Sequence, residues 1–352
     1  MITRRPLPWQ VELSQAFRDP LAMLAALGLI PESLSGATSG KRWEKQSGGK
    51  GISGASTIPF PLLAPRGYVA RMQKGNPRDP LLRQVLPIAE ENTECPGYTT
   101  DPLGECHALR APGVLQKYQG RVLLMTTTAC AVHCRYCFRR HFALGHEDGG
   151  IRGKGIPNRD WETALACIRK EDTIREVILS GGDPLCVIDE KLALLAARIA
   201  ELPHVRRLRI HTRVPIVLPE RVDDSLLAWL AGTRLQMVMV IHANHPNEMD
   251  HRVEGALARL RVGGITLLNQ SVLLRGVNDH PNILATLSER LFAAGVLPYY
   301  LHLLDPVQGA AHFAVAEGRV KEIMTGLRSR LPGYLVPRPV REVAGAGYKI
   351  PA

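Results

Sequence analysis

Three cysteines, Cys130, Cys134 and Cys137, fall within eight residues at a C-x3-C-x2-C spacing. Thiolates this close along the chain can hold three corners of a cuboidal cluster of four irons and four sulfides, which leaves one iron without a protein ligand. An open coordination position separates a metal that does chemistry from one that braces a fold. The same thiols could instead bind zinc, with His133 or His141 as a further ligand, or pack in a core as small hydrophobes. The spacing alone leaves all three alternatives standing.

The surrounding pattern says where such a loop would sit. Residues 121–128 read as a buried strand that runs directly into the cysteines. Further strands are expected at 176–180, 205–212, 235–242, 265–274 and 296–303, with helices between them at 161–171, 189–201, 223–231, 246–262 and 281–294. Strands that alternate with helices pair in parallel, because a parallel connection needs a crossover. Ser180, His211, His242, Gln270 and His302 lie at strand ends, and the carboxyl ends of parallel strands are where ligand-binding groups gather. The first strand delivers the cysteine loop to that same mouth. Before it, 21–27 reads as a helix opened by Asp19-Pro20, 33–57 as a Ser/Gly-rich mobile loop, 69–86 as a broken helical pattern and 87–113 as turns. After the sixth strand a helix is expected at 315–331.

Whole-chain properties narrow the class. A chain of 352 residues is long enough for a full enzyme core. Its longest apolar stretch, residues 21–30, is too short to span a bilayer, and its first residues lack the apolar run of a secretory signal, so a cytoplasmic location is expected. Seven cysteines, three of them clustered and four scattered, suit metal binding in a reducing compartment better than a disulfide framework. The net charge of +11 comes without a long Lys/Arg block and with only 5% aromatic residues. That disfavours a single-strand nucleic-acid surface, which needs stacking platforms, and suits small ligands that carry phosphate or carboxylate groups.

The cysteine loop, with Tyr136 in it, resembles the signature of the radical S-adenosylmethionine superfamily, and Ser180-Gly181-Gly182-Asp183-Pro184 resembles that superfamily's motif at the methionyl amino group. Three longer runs are similar to lysine 2,3-aminomutase: 134–142, 242–248 and 269–279. From about residue 65 the likeness continues to the end. The segments 298–302 and 308–313, and a chain that ends early with no cysteine after Cys186, are similar to the short branch that supplies β-lysine for elongation factor P rather than to the longer forms with a zinc-binding tail.

The resemblance implies an α/β fold, a radical S-adenosylmethionine partial (βα)6 barrel at 116–310, with a mostly helical N-terminal extension at 1–115 and a short C-terminal segment at 311–352. It implies L-lysine as substrate, β-lysine as product, and three cofactors: a 4Fe–4S cluster on Cys130, Cys134 and Cys137, S-adenosylmethionine, and pyridoxal phosphate tethered through an imine to Lys349. Moving an amino group from C2 to C3 breaks an unactivated C–H bond, a task that requires a cofactor-borne radical. Lys117 and Arg121 match phosphate-holding positions, Arg139 the residue that forks the substrate carboxylate, and Asp305 and Glu342 the acids that grip the ε-ammonium. The better-known enzymes have Asp where Glu342 stands, and the extra methylene could alter the lysine pose. Ser180, Gly181, Gly182, Asp183, His242 and Gln270 are the expected contacts to S-adenosylmethionine.

A reductant protein is implied, as is a functional link to elongation factor P and its lysyl ligase, while oligomeric state stays open. Two other readings remain. A radical S-adenosylmethionine RNA methyltransferase would account for the basic charge, and a zinc-stabilised binding module for the thiols.

Overall fold

A computed structural model describes residues 6–30, 60–141 and 161–352. The expected Ser/Gly-rich loop at 33–57 lies outside the described residues. The architecture is a single ten-stranded sheet whose strands neighbour one another in chain order from β1 to β10. Its parallel centre runs through β3 (Arg121–Thr127), β4 (Glu176–Gly181), β5 (Arg207–Thr212), β6 (Gln236–Ile241), β7 (Thr266–Val272) and β8 (Leu297–His302). These are the six expected strands, within a few residues at each end. The first and last strands are not paired with one another, so the sheet is an open, partial barrel.

The helices that join these strands cover one face. α5 (Glu162–Lys170), α6 (Asp189–Ala200), the single turn α7 (Val214–Val217), α8 (Asp224–Ala231) and α9 (His251–Val262) pack on the parallel strands. The resulting core includes Leu165, Leu195, Leu226 and Leu257 against Leu179, Ile210 and Met239. α10 (Pro281–Ala293) and α11 (Glu317–Arg328) build a second core with Leu273 and Leu301. Asp223 and Asp250 cap α8 and α9 by accepting the amides of Leu226 and Val253. No helix among the described residues is long and apolar enough to cross a membrane.

The N-terminal region is built from α1 (Pro8–Ser14), α2 (Pro20–Ala26), α3 (Arg66–Val69) and α4 (Pro80–Arg83), each no longer than two turns. Asp19 caps α2 at the amide of Leu21, as the Asp-Pro pair predicts. Trp9, Leu24, Tyr68 and Leu82 join the main core, so this region shares the hydrophobic interior of the sheet.

The sheet extends beyond the expected six strands at both edges. β2 (Val114–Tyr118) pairs antiparallel with β3, and β1 (Leu109–Ala111), in the stretch read as turns, pairs antiparallel with β2. At the other edge β9 (Arg338–Arg341) pairs parallel to β8, and β10 (Ile350–Pro351) folds back antiparallel on β9. These four strands are two to five residues long, and β9 reads Arg-Pro-Val-Arg, too short and too charged for a period-two signal. They matter for the site. β9 carries the chain along β8 and ends one residue before Glu342, and the return to β10 sets Lys349 beside it.

Candidate active site

One cavity of about 490 Å3 occupies the face of the sheet that the helices leave uncovered. Its lining follows from strand geometry. Ile178 with Ser180, Arg209 with His211, Gln270 with Val272 and Tyr300 with His302 are pairs two residues apart on four strands, so each pair projects to the same side. The cavity also takes in Cys130, Cys134 and Cys137 from the loop after β3, Lys117 from β2, and Asp305, Glu342 and Lys349 from beyond β8. Of the fifteen residues singled out from sequence, all line it.

The cysteine loop is held from behind by the N-terminal region. Arg135 is fully buried and forks onto Glu91, and Arg140 reaches the same carboxylate. Both guanidinium groups lie over the Phe60 ring, at 4.9 and 5.1 Å. The amide of Arg135 donates to the carbonyl of Gln84 at 2.9 Å, and that of His133 to the carbonyl of Leu63 at 2.9 Å. On the other side the turn Gly181-Gly182 presses against the segment that leads into the loop. The amides of Gly182 and Asp183 donate to the carbonyls of Thr127 and Ala129 at 2.7 and 2.8 Å. A β-carbon on Gly182 would stand 2.2 Å from the Ala129 oxygen, so only glycine permits this approach.

The three thiols suit an iron–sulfur cluster better than a single ion. The imidazoles that a zinc site would recruit point elsewhere: His133 stacks on Phe60 and pairs through Nδ1 with the Pro61 carbonyl at 2.9 Å, and His141 pairs through Nε2 with the Gln308 carbonyl at 3.0 Å. Burial, and then the charge of the neighbouring cysteines, pushes the Cys137 thiol up to about 11 and Cys130 well above its ordinary range. Such thiols become ligands when a bound cation displaces their protons.

A guanidinium stands directly behind this loop. Arg213, buried, donates from Nη1 to the Cys134 sulfur at 2.7 Å and from Nη2 to Glu248 and Gln84. Asn244 links Gln84 to the Tyr136 hydroxyl, and Asn278 donates to the carbonyls of Asn244 and Val272. The polar residues in 242–248 and 269–279 thus include much of the scaffold that ties strand ends to the cysteine loop.

The residues expected at S-adenosylmethionine divide into two groups. His242 and Gln270 face each other at 2.9 Å, and burial, then the charges of Arg213 and Arg139, hold the His242 imidazole down to about 3. Asp183, by contrast, is fully engaged by the chain. Its oxygens accept from the amides of Leu185, Arg213 and Val214 and from the Thr212 hydroxyl. It fixes the turn after β4 to the end of β5. The Ser180 hydroxyl accepts from Arg139 Nη1 at 2.9 Å, so it belongs to the arginine's surroundings as well.

Charges alternate through the rest of the site. Arg139 forks onto Glu105 with Nε and Nη2 at 2.7 and 2.8 Å, Lys117 contacts Glu105 at 2.8 Å and Glu342 at 2.7 Å, and Lys349 donates to the other oxygen of Glu342. Burial would raise the Glu342 carboxyl, but Lys349 and Lys117 together outweigh it and hold it at about 2. Asp305 has no ion-pair partner among the described residues, and burial, then the charge of Glu342, pushes it up to about 7. Arg121 lies over the Tyr118 ring at 4.6 Å and meets no carboxylate among the described residues, which leaves a cation facing the cavity. Lys117, expected beside it at the phosphate, contacts the carboxylates of Glu105 and Glu342 here.

A planar cofactor joined to Lys349 has suitable surroundings here. Its Nζ stands 5.9 Å from the centre of the Tyr300 ring, which lies tilted against Tyr299 with ring centres 3.8 Å apart. The Nε2 atoms of His211 and His302 are buried and have no partner among the described residues, and both residues line the cavity. Burial, then the charge of Lys349, holds His302 down to about 3, so it is a neutral imidazole. Buried polar atoms of this kind are ordinarily satisfied by something in the site. Glu105, Arg209 and Arg213 were not apparent from sequence. Each is a single charged residue whose partner is remote in the chain, and no local pattern marks it.

Comparison with known proteins agrees with this geometry. Residues 124–285 match the family model of the radical SAM superfamily. The chain is similar to the L-lysine 2,3-aminomutase of Escherichia coli (strain K12), 45% identical over 97% of this chain and 94% of the relative. It is also similar to that of Haemophilus influenzae, at 43% over 98% and 95%. The L-lysine 2,3-aminomutase of Clostridium subterminale is 37% identical over 81% of this chain and 67% of the relative.

Proposed function

This chain belongs to the lysine 2,3-aminomutase family of the radical S-adenosylmethionine superfamily, and from that premise we propose that it converts L-lysine to β-lysine with pyridoxal phosphate as a further cofactor. The observation that carries the reading is the set of groups in one cavity: three thiols, Arg139, the acids Asp305 and Glu342, and Lys349. The substrate is an amino acid with a carboxylate at one end and an ammonium at the other, and the cavity offers a cation for the first and acids for the second.

Cys130, Cys134 and Cys137 would hold the 4Fe–4S cluster, which supplies the electron for reductive cleavage of S-adenosylmethionine to a carbon radical able to take hydrogen from C3. His242, Gln270 and Ser180, with Gly181 and Gly182, border the space beside the thiols where S-adenosylmethionine would lie, and Asp183 sets that turn in place. Lys349 would tether pyridoxal phosphate at rest and release it to the α-amino group of the substrate, where that cofactor would supply a π-system conjugated to the migrating nitrogen, and Arg121 would be available to its phosphate. Arg139 binds the carboxylate of lysine and so orients the substrate in the cavity. Asp305 accepts the ε-ammonium as its carboxylate. Glu342 lies at that same end of the site, between Lys117 and Lys349.

The same reading extends to the product's use. The likeness of 298–302 and 308–313 to the short branch supports a role in supplying β-lysine for modification of elongation factor P, through a separate ligase and with an electron-donor protein. Anaerobically reconstituted protein given dithionite, S-adenosylmethionine, pyridoxal phosphate and L-lysine should form β-lysine. Cleavage of S-adenosylmethionine with lysine unchanged would overturn the aminomutase reading.

A further inference from the structure

Glu105 lies outside the cavity wall, yet it touches two of the cations that line it. Its side chain is fully buried, with 0% exposure. One oxygen accepts Arg139 Nε at 2.7 Å, and the other accepts Arg139 Nη2 at 2.8 Å and contacts Lys117 Nζ at 2.8 Å. The residue opens a one-turn 3-10 helix, Glu105–Ala108, that follows Gly104 in the left-handed region at φ 60. Asp101 fixes that turn by accepting the amides of Glu105 and Cys106 at 3.0 and 3.2 Å. The turn is therefore built to send a carboxylate inward.

A guanidinium can grip a carboxylate through either of two edges, the side edge of Nε and one Nη, or the end edge of the two Nη atoms. Glu105 occupies the side edge of Arg139. At the other edge Nη1 meets the Ser180 hydroxyl at 2.9 Å and the Gly181 carbonyl at 3.3 Å, both on the cavity wall. A binding arginine is accurate only when its own orientation is fixed by what stands behind it. Glu105 also balances charge, because without it the buried Arg139 guanidinium would lose its carboxylate and Lys117 would keep only Glu342.

We propose that Glu105 is a positioning residue that takes the side edge of Arg139 and so turns Nη1 to the cavity wall at Ser180 and Gly181, where the α-carboxylate of the amino-acid substrate meets it in place of those two acceptors. This rests on the reading of Arg139 as the carboxylate anchor of an aminomutase.

The test compares L-lysine with lysinamide, which lacks the carboxylate, on reconstituted holoenzyme of the wild type, Glu105→Gln and Glu105→Asp. Loss of the buried pairing should raise the KM for L-lysine by about tenfold or more in Glu105→Gln. The inhibition constant of lysinamide and the rate of S-adenosylmethionine cleavage should stay within about twofold. Glu105→Asp, which keeps the charge but withdraws it by a methylene, should fall between, and carries the comparison alone if the Gln variant does not fold. Equal weakening of lysine and lysinamide, or an unchanged KM for lysine, would overturn the role of Glu105 while the aminomutase reading stands. Wild-type holoenzyme that neither binds nor rearranges lysine would overturn both.

Discussion

Asp305 and Glu342 line the same cavity, yet their acidities are driven far apart. Glu342 receives two ammonium groups and is held at about 2, whereas Asp305 receives none and, buried in the field of Glu342, rises to about 7. One acid is therefore a fixed anion and the other takes or gives a proton near neutrality.

A pH dependence of substrate binding follows. Lysine brings an ammonium that Asp305 accepts best as carboxylate, so the KM for L-lysine should fall as pH rises through about 7. Asp305→Asn should flatten that profile, and a KM–pH series on both proteins checks it. The stability signs differ between the two acids. Asp305, raised above 3.8, contributes stability that is lost as pH rises towards about 7, whereas the contribution of Glu342, lowered from 4.5, is lost as pH falls towards about 2.

Glu91 pairs with two buried arginines, Arg135 and Arg140, that hold the cysteine loop. Glu91→Ala would leave both guanidinium groups buried without their anion, at a cost of about 3 to 5 kcal/mol. Chemical denaturation should show the loss, and iron bound per chain after reconstitution should drop with it.

The same substitution should act with opposite sign at two glycines. Gly182→Ala drives a β-carbon into the Ala129 carbonyl, which should cost about 1 to 3 kcal/mol and lower cluster content. Gly255 is exposed inside α9 with open space around it, so Gly255→Ala should stabilise the fold by about 0.5 to 1 kcal/mol. Denaturant midpoints of the two variants decide it.

Lys349 should be the covalent anchor. Borohydride treatment of the wild type loaded with pyridoxal phosphate should fix the cofactor to the peptide that contains Lys349. Lys349→Ala should show no such adduct by mass spectrometry while it retains its iron. An adduct at Lys117 instead would reassign the tether.

The parts of this protein readable along the chain are those governed by near neighbours. The thiol spacing within eight residues, the alternation of strands and helices, and the Asp caps each depend on contacts a few positions apart. That is enough to define the parallel sheet and the loop at its carboxyl end, and the family resemblance attaches roles to Lys349, Asp305 and Glu342. It does not show how those roles are shared. Lys117 and Glu342 are 225 residues apart, and their contact exists only because β2 and β9 join opposite edges of one sheet. Both strands are too short for a periodic signal, and an isolated buried acid such as Glu105 has none. Which carboxylate is an anion, which takes a proton near neutrality and which way Arg139 faces are matters of burial and field, and those arise only when distant segments close on one cavity.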